Sequence, residues 1–121
     1  MKELKVDNLN VKIMPNRDEM GKVAAKDLHD KIVELLSKKE EINMIFAAAP
    51  SQNEVLAGLV AKKAIPWNRI NAFHMDEYIG LKEDAPQRFG IFLENAIFGK
   101  VDFKSVNYIN ASASDCESEC A

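Results

Sequence analysis

The chain has 121 residues, 47% hydrophobic and 29% charged, which bounds it to one domain with a core and argues against disorder. Lys and Arg total 16 against 19 Asp and Glu, a formal net charge of −3. That balance disfavours nucleic acid and anionic membranes as partners, yet it leaves room for a small anionic ligand at a locally positive site.

In chain order, Leu4, Val6, Leu9, Val11 and Ile13 alternate loosely, and Val11–Met14 is predicted as the first strand before Pro15-Asn16 breaks it. Asp18 is placed to cap a long amphipathic helix that turns Val23, Ala24, Leu28, Ile32, Val33, Leu35 and Leu36 inward. Ile42–Ala48 is a continuous apolar run, the pattern of a strand buried on both faces. Ser51-Gln52-Asn53-Glu54 has the Ser-x-x-Glu form of a capping box, so a helix is predicted from Ser51 to about Lys63. Pro66-Trp67-Asn68 turns the chain into a second buried strand, Ile70–Met75. A loop over Asp76–Ala85 follows, then a helix over Arg88–Phe98, a strand over Val106–Ile109, and a further helix start at Ser114-Asp115-Cys116-Glu117. Strands alternating with helices predict an α/β domain over residues 1–121, a mainly parallel sheet with helices on both faces.

No run is long enough to span a bilayer. Met1-Lys2-Glu3-Leu4-Lys5 lacks an apolar signal core, and a cytoplasmic address is expected. Cys116 and Cys120 sit at i, i+4 near the end. With no further Cys/His ligands beside them they read as reduced thiols, and no metal is expected.

Ligands of open parallel sheets bind beyond the carboxyl ends of the strands, which singles out two loops. Ala47-Ala48-Ala49-Pro50-Ser51 runs from a strand into a helix. Its small residues Ala48 and Ala49 and the hydroxyl of Ser51 suit a phosphate at a helix N-terminus. The alternative is plain capping, since glycines are missing and Pro50 removes a donor. Met75-Asp76-Glu77-Tyr78 follows the next strand. Adjacent Asp76 and Glu77 point in different directions and do not form a dyad. One can face the crevice as a general base while the other makes structural contacts; capping is again the alternative. His74 reads as a satisfied core histidine more than a catalytic one, and Arg88 as a surface residue within reach of an anion.

Phe73-His74-Met75-Asp76-Glu77-Tyr78-Ile79-Gly80-Leu81 resembles the signature of the glucosamine-6-phosphate deaminase (isomerase) family, Phe-Asn-Met-Asp-Glu-Tyr-Val-Gly-Leu. Pro86-Gln87-Arg88-Phe89 and Val106-Asn107-Tyr108-Ile109-Asn110 extend the similarity. The resemblance implies a Rossmann-like three-layer domain without a cofactor, acting on a small phosphorylated sugar. Asp76 is then the base that moves the C2 proton during aldose–ketose isomerisation, and Glu77 supports it. The family's first-loop Thr-Gly-Gly-Thr aligns with Ala48-Ala49-Pro50-Ser51, which keeps one hydroxyl and loses both glycines. The family's later Gly-His-Ile-Ala-Phe-Asn-Glu-Pro motif does not occur here. The expectation is therefore a C-terminally truncated, N-terminal portion of a deaminase-like chain, inactive alone. Uncovered sheet surface predicts self-association into a homo-oligomer. The competing reading is a non-catalytic sugar-phosphate-binding or regulatory module. A phospho-acceptor receiver domain is disfavoured, because Pro15-Asn16-Arg17 stands where such domains need an acidic pair.

Overall fold

A computed structural model describes residues 1–121. The elements are β1 (Lys2–Val6), β2 (Leu9–Ile13), α1 (Arg17–Leu36), β3 (Ile42–Phe46), a 3₁₀ turn (Pro50–Gln52), α2 (Asn53–Val60), a second 3₁₀ turn (Trp67–Arg69), β4 (Ile70–His74), α3 (Phe89–Leu93, widening to a π turn over Glu94–Phe98), β5 (Ser105–Asn107) and α4 (Cys116–Cys120).

The α/β alternation holds from β3 onward. β3, β4 and β5 form a parallel sheet in sequential order, with Ile42 opposite Ile70, Phe46 opposite His74 and Ala72 opposite Val106. The first expected strand does not join it. Residues 2–13 instead fold back on themselves as an antiparallel hairpin, a separate two-stranded sheet with Val6 opposite Leu9. The turn at Asp7-Asn8 takes Asp7 to a φ of 51°, a conformation Asp tolerates better than most side chains. The loose alternation was the hairpin's signature, and it carries no information about which sheet a strand joins.

Two helix starts differ from expectation. Asn16, not Asp18, caps α1, accepting from the Glu19 N–H at 2.9 Å; the helix thus starts directly after Pro15-Asn16, two residues earlier than the acidic side chain suggests. The capping box at Ser51 does not form. Pro50 opens a 3₁₀ turn there, and α2 begins at Asn53 with no side-chain cap. Glu54 turns away because Arg17 holds it through Nε at 2.9 Å and Nη2 at 2.8 Å.

The core lies on one face of the parallel sheet. Ile42, Phe46, Ile70 and Ala72 join Ala25, Ile32 and Leu36 of α1, Leu56 and Leu59 of α2, and Leu93, Ile97 and Phe98 of α3 in a single cluster. The edges of the Phe46, Phe98 and Phe103 rings meet there, with centroids 5.4 to 5.8 Å apart. α1 presents Gly21, Ala25, Ile32 and Leu36, and leaves Leu28 and Val33 in solvent. The other face of the sheet carries Asn43, Ile45, Asn71, Phe73, Ser105 and Asn107, and Ile45 is 62% exposed. The two strands expected to be buried on both sides are thus buried on one, and the chain supplies one helical layer and the sheet of a three-layer arrangement. The polar members of the open face link across it: Asn71 Nδ2 donates to Asn43 Oδ1 at 3.0 Å and Ser105 Oγ to Asn71 Oδ1 at 2.8 Å.

Candidate active site

β3 and β4 are register neighbours, so the two candidate loops leave the same end of the sheet side by side. The pairing continues one step past the strands, with Met75 N–H donating to Phe46 O at 3.1 Å. Ala47–Ser51 and Met75–Tyr78 therefore start from neighbouring strand ends.

Asp76 and Glu77 have opposite surroundings. Asp76 is exposed and holds no ion pair. The Glu77 side chain is only 2% exposed. Its Oε1 accepts from Tyr78 N–H at 3.0 Å and Phe89 N–H at 2.9 Å, and its Oε2 from Gly90 N–H at 2.9 Å. Glu77 thus closes the start of α3 from outside the helix and ties the Asp76 loop to it. Burial pushes the Glu77 carboxyl up, but the N–H groups of Gly90, Phe89 and Tyr78, with His74 nearby, outweigh it and hold the group below its usual range.

His74 lies on the core face of β4, its side chain 1% exposed. Ile109 N–H donates to Nδ1 at 3.3 Å, which in a neutral ring leaves the proton on Nε2, 3.5 Å from Glu77 Oε2. His74 is thus a core histidine as expected, but it is satisfied only at Nδ1: Nε2 makes no hydrogen bond. Arg88 departs from the surface role expected of it. It is buried, with Nη2 donating to Leu81 O at 3.0 Å and Ser112 Oγ at 2.7 Å. A guanidinium fork can close the loop between β4 and α3 against the segment after β5 in one step, and sequence proximity to a helix start does not reveal that. Tyr78 packs on Phe89 at 4.7 Å between centroids, and Trp67 is in the core.

At the first loop Ala48 and Ala49 are half-buried and Ser51 is exposed. The Gln52 and Asn53 N–H groups are spent closing the turn on Ala49 O and Pro50 O, and Pro50 has none. The Ser51 hydroxyl and N–H are the groups this turn can turn toward an anion. Arg17 Nη2 donates to Pro50 O at 2.9 Å, so a cation sits against the turn. Nothing near Arg17 in sequence announces this; the contact spans 33 residues.

The parallel sheet, its helical layer and the paired loops define the chain as an α/β protein of the fold found in two solved structures. One is a monomeric glucosamine-6-phosphate deaminase described as a missing link of the NagB superfamily (TM-score 0.68, 21% identity, covering 91% of this chain and 47% of that one). The other is the 6-phosphogluconolactonase of Thermotoga maritima (TM-score 0.73, 24% identity, covering 83% and 45%). At these identities the likeness concerns fold alone. In sequence the chain is similar to glucosamine-6-phosphate deaminases. It is 31% identical over 114 residues to that of Borreliella burgdorferi, covering 89% of this chain and 42% of the relative. To that of Parabacteroides distasonis it is 30% identical over 115 residues, covering 90% and 43%. To that of Clostridium acetobutylicum it is 28% identical over 106 residues, covering 85% and 43%. The chain spans about two fifths of the length of these curated relatives. No protein-family model matches it.

Proposed function

We propose that the chain corresponds to the N-terminal portion of an amino-sugar-phosphate isomerase/deaminase and carries its proton-transfer base. In this reading Asp76 takes the C2 proton of open-chain glucosamine 6-phosphate and returns it to C1. The imine left at C2 is hydrolysed by water to fructose 6-phosphate and ammonia. A carboxylate suffices for that transfer, so the reading needs no cofactor. Glu77 is its positioning residue, and Ala48, Ala49 and Ser51 are its phosphate turn. The observation that carries the reading is the pairing of a sequence similarity along 89% of the chain with an exposed Asp76 just past the carboxyl end of β4, the strand next to the one that leads into the Ser51 turn. The implied partner is a small phosphorylated sugar and the implied setting is the cytoplasm. No helix of the structure is long and apolar enough to cross a membrane.

The turn's geometry also favours a second reading, a sugar-phosphate-binding module without turnover. Pro50 and the closed 3₁₀ turn leave fewer free donors than a glycine cradle provides. Titrating the isotope-labelled 121-residue chain with glucosamine 6-phosphate, while assaying ammonia, separates the two. Saturable amide shifts over residues 48–52 and 75–78, with no ammonia released by these residues alone, is the expected result. Ammonia release abolished by Asp76→Asn would show that the 121 residues suffice for turnover. Absence of shifts at both loops at millimolar ligand would remove both readings.

A further inference from the structure

The molecule has a cavity that Asp76 does not line. It measures about 550 Å³ and opens between the end of β4, the first turn of α3 and the segment that follows β5. That is within the size range of small-molecule sites. We propose that it binds a neutral polyhydroxylated molecule, separately from any phosphate held at the Ser51 turn.

Two buried nitrogens among its lining residues make no hydrogen bond: His74 Nε2, which stands 3.5 Å from Glu77 Oε2, and Arg88 Nε. Ile109 N–H occupies His74 Nδ1, so in the neutral ring Nε2 is a donor; Arg88 Nε is a donor at any pH the protein survives. Buried donors without acceptors are costly, and an oxygen-bearing ligand removes that cost. Ser112 is the movable part of the wall. Its hydroxyl accepts from Arg88 Nη2, it lies on an exposed segment, and a ligand hydroxyl replacing it comes within reach of the guanidinium.

The walls decide which oxygen fits. Glu77, Glu83 and Glu94 set three carboxylates against the single guanidinium of Arg88. A phosphate or carboxylate ligand would be repelled by that surplus, whereas a hydroxyl accepts from the floor donors and donates to the rim acceptors Glu83 and Glu94. Asn110 adds both functions at the mouth. Tyr108 is held there by its hydroxyl, which donates to Glu94. Its ring, with Ile91 and Ile109, gives the cavity apolar surface against which the C–H faces of a polyol can pack. Alternating hydroxyl and C–H surface is what these walls match.

The inference stands apart from the deaminase reading, because neither Asp76 nor Ser51 lines this cavity. The probe is D-glucitol, with inorganic phosphate as contrast, titrated into the isotope-labelled chain. Saturable shifts at the Gly90, Ile109 and Asn110 amides are expected with glucitol and not with phosphate. Asn110→Ala, an exposed change that leaves the core untouched, is expected to weaken glucitol binding about tenfold, near 1.4 kcal/mol. Tyr108→Phe, which keeps the ring but frees Glu94, is expected to weaken it also. No saturable shift with millimolar glucitol overturns the proposal. So does tighter binding of phosphate at these amides, or unchanged glucitol affinity in both variants.

Discussion

Asp76 and Glu77 are chemically near-identical neighbours that the fold assigns to different tasks. Glu77 satisfies three backbone N–H groups from a buried position, so Glu77→Ala leaves them without an acceptor and is expected to cost about 3 kcal/mol of unfolding free energy. Asp76→Asn sits in solvent and is expected to change stability by less than about 0.5 kcal/mol. Chemical denaturation of the two variants checks the contrast. The sign with pH follows from the depressed Glu77 carboxyl. Its contribution is fully present above its ordinary value of 4.5 and is lost as pH falls below that toward its lower folded value. Glu77→Gln is therefore expected to flatten the acid side of the stability profile, whereas Asp76→Asn leaves it in place. The sequence made both carboxylates visible as candidates after a strand. It left open which one faces inward, because Phe89 and Gly90 lie 12 and 13 residues away and no local pattern ties a loop carboxylate to a helix start at that distance.

At the scale of elements, periodicity located most helices and strands, and the errors have a common source. Caps and boundaries went to competing partners: Glu54 to Arg17 rather than to Ser51, and the α1 cap to Asn16 rather than Asp18. The inward stripe of α1 differs from the predicted one for a related reason. A pattern of large apolar residues picks out Leu28 and Val33, yet α1 meets α2 through its small residues. A Cβ on Gly21 would lie 2.4 Å from Glu54 Cβ and 2.9 Å from the Glu54 carbonyl carbon, and one on Gly58 would lie 2.7 Å from Ala25 Cβ. The helices approach this closely only because those positions are bare. Gly21→Ala gains about 1 kcal/mol of helix propensity but forces the backbone of α2 to move, at a cost of about 1–3 kcal/mol. Thermal unfolding is expected to show a net loss, and loosening of the Arg17–Glu54 pair should be seen as shifted Arg17 side-chain resonances.

For the molecule as a whole, the parallel sheet was legible and its one-sidedness was not. Runs such as Ile42–Phe46 look the same whether one face or two are covered. Parallel sheets are nearly always covered on both faces, and here the second face holds Ile45, Phe73 and Met75, which are 62%, 38% and 46% exposed. Ile45 and Phe73 are register partners on neighbouring strands, so they form one continuous apolar patch. The chain is expected to self-associate as concentration rises, and light scattering after size exclusion measures it. Ile45→Lys is expected to restore the monomer with little change in stability, and a wild-type chain that stays monomeric at high concentration would contradict this. The relation of the two candidate loops was also recoverable from sequence, since both follow strands of one sheet. The cavity beside Tyr108 was not, because its walls are assembled from segments spread over nearly forty residues.

The hairpin of residues 2–13 has a consequence of its own. Nearly all its residues are exposed, none belongs to the apolar cluster, and the Lys12–Asp27 ion pair is its side-chain link to α1. Two strands without a third are only marginally stable in water. Opening this segment leaves the rest of the core undisturbed, so its amides exchange with solvent on a clock separate from global unfolding, and a protease can nick the chain there while the sheet bearing Asp76 stays folded.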